Sequence, residues 1–310
     1  MKEINNKPPK VSVCVVTYNQ ENYIRQCLQS IVDQVTDFAF EVIVADDYST
    51  DSTRLIIQEF VDKYPGMVKP IFHKSNMGPY KNFVFVHQQA IGEHVAHLDG
   101  DDLMLPSKLQ KQSNFLDLNH ECTVVWHRVN FFDDYGKSLS GQHYNYSIFP
   151  CGIVDFGTAL RHGSVAVHSS IMYRKSSRIT NYPNFDTLDL FYSWEYLSGG
   201  WGKILDEVLG SYRVNSVGGI SVKSELLVRS LVAHHAAYFL KLHPDHRKDV
   251  FFFALTNFLI DFKNLRKTAF LFLTLIIASF SLIGPREFLM HLNVARQLRL
   301  PKLSEKISTI

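Results

Sequence analysis

The sequence predicts an α/β protein with a doubly wound, mostly parallel sheet, followed by a helical region at its C-terminal end. Three observations lead there. Before residue 100, four short strand-like runs alternate with three segments of helical spacing, the order that builds parallel sheets. The first two runs, VSVCVV and FEVIVA, are largely apolar rather than alternating, as strands covered on both faces are. Two acidic clusters, Asp46-Asp47 and Asp99 to Asp102, stand where the second and fourth runs end. In such sheets ligands bind beyond the carboxyl ends of the strands.

Val11 to Val16, VSVCVV, is a β-branched run bounded by Pro9 and by Tyr18-Asn19, and is expected to be a buried strand. From Asn22 to Val32, Tyr23, Ile24, Cys27, Leu28 and Ile31 recur at helical spacing. FEVIVADD is the second strand, and the turn YSTDST leads into a helix from Arg54 to Tyr64. A third strand is expected from Val68 to His73, a mainly helical segment from Gly78 to Gly92, and a fourth strand, HVAHL, ending at Asp99. From about 110 to 222 aromatics and loops prevail, with HRVNFFDDYGKSLSGQHYNYS the most irregular part and a strand expected just before His127. Beyond Ser224, a plausible N-cap for ELLVRSLVAHHAAYFLKL, the chain is expected to be helical to its end.

A chain of 310 residues is long enough for one large domain or two smaller ones. Its 46% hydrophobic and 20% charged residues suit a globular protein. A net charge of +2, with Lys and Arg dispersed, gives no electrostatic footprint for nucleic acid. Cys14, Cys27, Cys122 and Cys151 lie far apart with no Cys-x-x-Cys pair. Reduced thiols in a cytosolic protein are therefore expected, without a zinc site or disulfide framework. The opening MKEINNKPPK lacks an apolar core, so no secretory signal is expected.

The chemistry concentrates in HLDGDD, residues 97–102. Asp99 and Asp101, one residue apart at a strand end, can aim their oxygens at one point. Mg²⁺ and Mn²⁺ prefer oxygen ligands and share them with substrate phosphates. Gly100 between them lets the backbone turn tightly. The alternative is a solvated loop with helix-capping aspartates before LMLPSKL. Asp47 is either an acceptor for a base or ribose or a turn residue of DDYSTDST.

PKVSVCVVTYNQENYIRQCLQSIVDQ, EVIVADDYSTDST, NMGPYKNF and AHLDGDDLMLPSKLQKQSNFL occur in this order, and the similarity resumes at NFDTLDLFYSWEYLSGGWGKILDEVLGSYRVNSVGGIS. Together they resemble family 2 glycosyltransferases of the GT-A fold. The resemblance implies an inverting transferase that takes a nucleoside-diphosphate-sugar donor, commonly a UDP-sugar, with Mn²⁺ or Mg²⁺. Thr17, Tyr18 and Asn19 would line the nucleotide pocket, and Asp47 would hydrogen-bond the base. Asn76, Gly78 and Asn82 would lie beside the nucleotide-sugar. Asp99, Gly100 and Asp101 match the D-x-D motif, Asp101 binding the metal and Asp99 the ribose or metal, with Asp102 in support. The family usually carries a Glu-Asp pair as base before the LDE…YR segment. Here Leu188-Asp189 stands there, so Asp189 is the expected base, with Asp186 and Glu195 as alternatives. Where the family often has Tyr-Arg-x-His, this chain has Tyr212-Arg213-Val214-Asn215; Arg213 keeps a cation, and Asn215 removes any imidazole role. The implied division is a nucleotide-sugar half at 1–110, an acceptor and catalytic half at 111–222 and a helical region at 223–310 that is a candidate for membrane association.

The 14 histidines show no metal-ligand spacing supported by a carboxylate. His127 and, more weakly, His168 are candidates to face the acceptor. TAFLFLTLIIASFSLIG, residues 268–284, is about 17 residues long, roughly 25 Å as a helix and short of the ~20 residues of a span. It is either an interfacial helix flanked by Lys263, Arg266, Lys267 and Arg286, a core helix packed on DVFFFALTNFLIDF, or a span. A lipid-linked saccharide acceptor in surface-polysaccharide or O-antigen assembly, at the cytoplasmic face of a bacterial inner membrane, is the setting the resemblance implies. Two other functions stay open: a sugar nucleotidyltransferase, against which the loop VVTYNQENY offers no Gly, Lys or Arg, and a non-catalytic sugar-nucleotide-binding module.

Overall fold

The structure, a computed structural model, describes residues 8–139, 146–178, 182–214, 225–281 and 283–297. Its parallel half is β1 (Val11–Thr17), α1 (Ile24–Val32), β2 (Phe40–Asp46), α2 (Thr53–Lys63), β3 (Val68–Phe72), α3 (Pro79–Gln88) and β4 (His94–Asp99). β1 pairs in parallel with β2 and β4, and β2 with β3. The strand ends are level: Thr17 lies opposite Asp46, and Val16 opposite Asp99. Both acidic clusters therefore reach one edge of the sheet.

Next come β5 (Leu103–Met104), α4 (Lys108–Leu118), β6 (Cys122–Phe132), β7 (Ile153–Val154), α5 (Phe156–His162), β8 (Met172–Arg174), α6 (Asp189–Leu197) and β9 (Trp201–Arg213). Among the described residues the sheet runs β3-β2-β1-β4-β8-β6-β9-β5, with β7 paired to β9. β8 is antiparallel to both β4 and β6, and β6 and β9 are parallel. The region expected to be loop-rich thus holds two long strands, of 11 and 13 residues. β9 has no apolar run, since Lys203, Asp206 and Glu207 interrupt it, and register shifts near His127–Val129 accommodate its pairing with β6.

Each face of the sheet has its own core. Val11, Val13 and Val15 of β1 pack with Ile24, Cys27, Leu28 and Ile31 of α1, with α2 and with α4. Cys14 points the other way, into a core shared by Phe83 and Val86 of α3, Trp194 of α6 and the C-terminal helices. The alternation follows from the period of 2 of an extended strand. Covering both faces is what makes the β1 run largely apolar.

The C-terminal helices are α7 (Glu225–Leu242), α8 (Arg247–Lys263), α9 (Ala269–Ala278) and α10 (Pro285–Gln297); Ser224 lies outside the described residues. Within 268–284 the helix has 10 residues, about 15 Å, half the ~30 Å hydrocarbon core of a bilayer. Among the described residues no helix is long and apolar enough to cross a membrane. α9 buries Ala269, Phe272 and Leu275 and exposes Phe270, Ile277 and its neighbour Phe280. It is held at its start by Thr268, whose hydroxyl donates to buried Asp261 Oδ2 at 2.6 Å, and Asp261 also pairs with Arg229 at 2.8 Å.

Candidate active site

The loops after β1 and β2 form one hydrogen-bonded edge. Thr17 is buried and its hydroxyl donates to Gln20 Oε1 at 2.8 Å. Asn19 adopts a left-handed backbone, φ 51°, tolerated by Asn. Its N–H donates to Ser49 Oγ at 2.8 Å, and its Oδ1 accepts from the Thr50 N–H at 2.8 Å. Tyr18 and Tyr48 are exposed on this edge. Asp46 is fully buried and paired with Arg54 Nε at 2.5 Å.

Asp47 serves the backbone. Its Oδ1 accepts from the Met77 N–H at 2.7 Å and its Oδ2 from the Gly78 N–H at 2.9 Å, while Asn76 Nδ2 donates to the Asp47 carbonyl at 3.1 Å. The carboxylate expected to meet a base thus also fixes the segment that enters α3, where Gly78 takes φ 85°. Each oxygen retains a second lone pair. Asn82 lies behind the edge, buried, with Nδ2 donating to the Ala45 carbonyl at 3.0 Å and Oδ1 3.0 Å from His73 Nε2. It ties α3 to β2.

β4 delivers Asp99 to a turn seated against β1. A Cβ on Gly100 would fall 2.3 Å from Gln20 Oε1 and 3.0 Å from Thr17 Cβ, so the close approach requires glycine. The Gly100 N–H donates to the Val16 carbonyl at 2.9 Å. Asp102 is buried; its Oδ1 accepts from the Arg213 N–H at 2.7 Å, and its Oδ2 has no hydrogen-bond partner among the described residues. Burial, then Asp101 and Asp99, push its carboxyl well above the usual range. Arg213, expected to offer a cation, is itself buried between the rings of Tyr23 and Phe132, 4.4 and 4.3 Å from their centroids. Its Nε donates to the Asp101 carbonyl at 3.0 Å, so it braces the acidic turn from behind. Asn215 lies outside the described residues. Lys108 is fully buried beneath the turn, with Nζ donating to the Ser169 carbonyl at 2.8 Å. Burial lowers it to about 7 against the pull of Asp102.

Asp99 meets the turn His168–Ser170. Ser169 Oγ donates to Asp99 Oδ2 at 3.3 Å, and His97 Nε2 lies 3.1 Å from Asp99 Oδ1. Burial raises the Asp99 carboxyl, and His168 opposes the rise. His168 is buried, its ring 4.3 Å from that of His97, and its Nδ1 lies 3.3 Å from Asp189 Oδ1. Asp189 occupies the first turn of α6, where the helix dipole favours a carboxylate. The surrounding wall pushes its carboxyl up and His168 pulls it down, and 70% of its side chain is exposed. Glu195 is buried within α6, whereas Asp186 is exposed before it. His127 is fully buried with Nδ1 2.8 Å from the Arg128 carbonyl.

Asp99 and Asp101 are hard oxygen donors on one turn, the donor type a divalent cation such as Mg²⁺ or Mn²⁺ prefers, whereas Asp102 Oδ2 is closed from solvent. The histidine reading missed a second group, Glu93, His94 and Asp117, whose ligand atoms lie within 4.8 Å of one another at the far end of β4. There Lys10 Nζ sits 2.5 Å from Asp117 Oδ2 and Arg174 Nη1 3.8 Å from Glu93 Oε1, so two cations already balance the charge. The sequence reading also missed His97, Ser169 and Lys108 as members of the site. Only His97 carried a signal: residues 97 and 99 share one face of a strand.

The Glycosyl transferase family 2 model matches residues 12–179. An uncharacterized protein of Mycobacterium tuberculosis is 34% identical over 212 residues, 67% of this chain and 60% of its own length. The chain thus spans about 60% of that relative. The fold is shared with TarS of S. aureus solved with UDP-GlcNAc (TM-score 0.62, 24% identity, 80% of this chain and 72% of that one). It is shared too with the mannosyltransferase PcManGT of Pyrobaculum calidifontis in complex with GDP-Man and Mn2+ (TM-score 0.59, 16% identity, 95% and 82%). The motif order, the mixed α/β sheet and the match over more than half the chain agree, and the chain belongs to glycosyl transferase family 2.

Proposed function

We propose that this chain is an inverting glycosyltransferase that moves a sugar from a nucleoside diphosphate, UDP first among candidates, to a hydroxyl of a saccharide or lipid-linked saccharide. The observation that carries this reading is the meeting of Asp99 and Asp189 at one turn: Ser169 holds the first and His168 faces the second. A carboxylate proposed to bind the donor and an exposed carboxylate thus meet through the adjacent residues His168 and Ser169. Asp189 takes the proton of the acceptor hydroxyl as its oxygen attacks the anomeric carbon. The bond from that carbon to the diphosphate breaks, its electron pair leaves with the nucleoside diphosphate, and attack from the opposite face inverts the centre. Thr17, Tyr18, Asn19 and Asp47, with Asn76 and Gly78, border the nucleotide. Asp99 and Asp101 would hold Mn²⁺ or Mg²⁺, which when bound neutralises charge on the departing diphosphate. Fold-sharing proteins solved with UDP-GlcNAc and with GDP-Man and Mn2+ support the donor class. In this reading 1–110 handle the donor and 111–222 the acceptor.

The exposed apolar residues of α9, flanked by exposed Lys263, Lys267 and Arg286, support peripheral contact with an anionic membrane surface, where a lipid-linked acceptor would lie. Incubation with a panel of UDP-sugars, Mn²⁺ and saccharide acceptors tests the activity. Acceptor-dependent release of UDP is expected. Pyrophosphate exchange with no transfer would make the chain a nucleotidyltransferase, and donor binding without turnover would make it a binding module.

A further inference from the structure

Behind Asp99 runs a line of side chains: buried Tyr173 of β8, His87 of α3 and His97 of β4, with half-buried Arg178 at its far end. Arg178 Nη1 donates to the Tyr173 hydroxyl at 3.1 Å. That hydroxyl lies 2.7 Å from His87 Nδ1, His87 Nε2 lies 3.0 Å from His97 Nδ1, and His97 Nε2 lies 3.1 Å from Asp99 Oδ1. Tyr173 and His97 are 0% exposed and His87 3%, so no water replaces a lost partner. The Phe83 ring stacks on His87 at 4.0 Å and stands 5.0 Å from both His97 and His168, closing the line against solvent.

The two ends set the direction of every hydrogen bond. A guanidinium only donates and an ionised carboxylate only accepts. With Tyr173 O–H donating to His87 Nδ1, His87 Nε2–H donates to His97 Nδ1, and His97 Nε2–H donates to Asp99. The reverse order would turn an imidazole lone pair onto a carboxylate oxygen and leave the buried tyrosine hydrogen without an acceptor, each at the cost of an unmade buried hydrogen bond. One tautomer of each imidazole is thereby selected.

We propose that His97, backed by His87, Tyr173 and Arg178, is a positioning residue for Asp99, fixing the carboxylate in the orientation that receives the metal and donor. Ser169 holds the second oxygen of Asp99, so the carboxylate is clamped from two sides while each oxygen keeps a lone pair for a ligand. This proposal rests on the donor-binding reading of Asp99. In metal sites, hydrogen-bond partners of a ligand typically change affinity 10- to 100-fold.

The test has two parts. In metal-free protein with ¹⁵N-labelled histidine, the ring nitrogen shifts of His87 and His97 are expected to report the Nε2–H tautomer in both. Calorimetric titration of Mn²⁺ in the presence of UDP is expected to show His97→Leu weakened about tenfold. His97→Gln, which keeps an N–H at the same reach, should recover most of the affinity. Tyr173→Phe, remote from the ligand, should disturb the tautomers and weaken Mn²⁺ binding by a smaller factor, and it serves if His97→Leu does not fold. An Nδ1–H tautomer at His97, or wild-type Mn²⁺ affinity in both folded variants, overturns the proposal. A wild-type chain that takes up no Mn²⁺ with UDP overturns the donor reading instead, and the tautomer measurement still decides the hydrogen-bond order.

Discussion

His168 Nδ1 lies 3.3 Å from Asp189 Oδ1, and this contact joins the start of α6 to the turn that holds Asp99. An imidazole fully walled in by Phe83, His97 and Tyr192 gives the exposed carboxylate a fixed partner. Replacing Asp189 by Asn keeps the size and removes the proton acceptor. Turnover is expected to fall by at least about 10²-fold, the low end for general base catalysis, with UDP affinity unchanged. Steady-state kinetics beside UDP titration checks this; loss in Asp186→Asn with Asp189→Asn unaffected would move the role to Asp186.

Buried histidines predict an acid-sensitive fold. Burial holds His94, His162 and His235 neutral, each pushed down to about 4, whereas an unfolded histidine titrates near 6.5. Between those values the unfolded chain binds protons that the folded chain refuses. Their stabilising effect is therefore full above about pH 6.5 and is lost as pH falls toward about 4. Tm measured by calorimetry across this window is expected to decline, and His235→Asn should make the decline shallower. A Tm flat from pH 6.5 to pH 4 would contradict the burial of these rings as neutral groups.

Gly100→Ala places a methyl against Gln20 and Thr17. Gln20 can swing away, but Thr17 closes β1 and is buried. The expected cost is about 1–3 kcal/mol, the range for overpacking, together with weaker UDP binding because Thr17 borders the nucleotide. Urea melts and UDP titration measure both. Wild-type values in each would show that the turn is not seated against β1.

While β3, at the sheet edge, is only part-covered and carries Lys69, the strands β1, β2 and β4 were legible because each is covered on both faces and therefore largely apolar. β9 was not, because Lys203, Asp206 and Glu207 break its pattern while its pairing with β6 is long-range. Asp99, Asp101 and Asp189 could be picked out as candidates from their motifs. What surrounds them could not. Asp47 holds backbone 30 residues away, Arg213 spends itself on the carbonyls of Asp101 and Asp133, and Tyr173 reaches His87 across 86 residues. Such partners are set by sheet order, and sheet order leaves no local trace in composition or period.

For α9, the exposed Phe270, Ile277 and Phe280 predict binding to vesicles containing anionic lipid, reversed by high salt or alkaline carbonate. Phe270→Ser with Ile277→Ser should abolish sedimentation with vesicles and leave the fold intact, since both side chains face out. Full solubility at low salt with anionic vesicles present would assign α9 to packing alone. Extraction only by detergent would mean that it enters the bilayer more deeply than a helix of this length at the surface can.

The most direct measurement is calorimetric titration of UDP into the wild-type chain and into Asp101→Ala, each with and without Mn²⁺. The wild type is expected to bind UDP at least about tenfold more tightly with Mn²⁺, a difference of about 1.4 kcal/mol, and Asp101→Ala is expected to lose that increment while keeping its metal-independent binding through Thr17, Asn19 and Asp47. An Mn²⁺ increment of the same size in Asp101→Ala, or no UDP binding by the wild type under either condition, would contradict a metal-assisted donor site at Asp99 and Asp101.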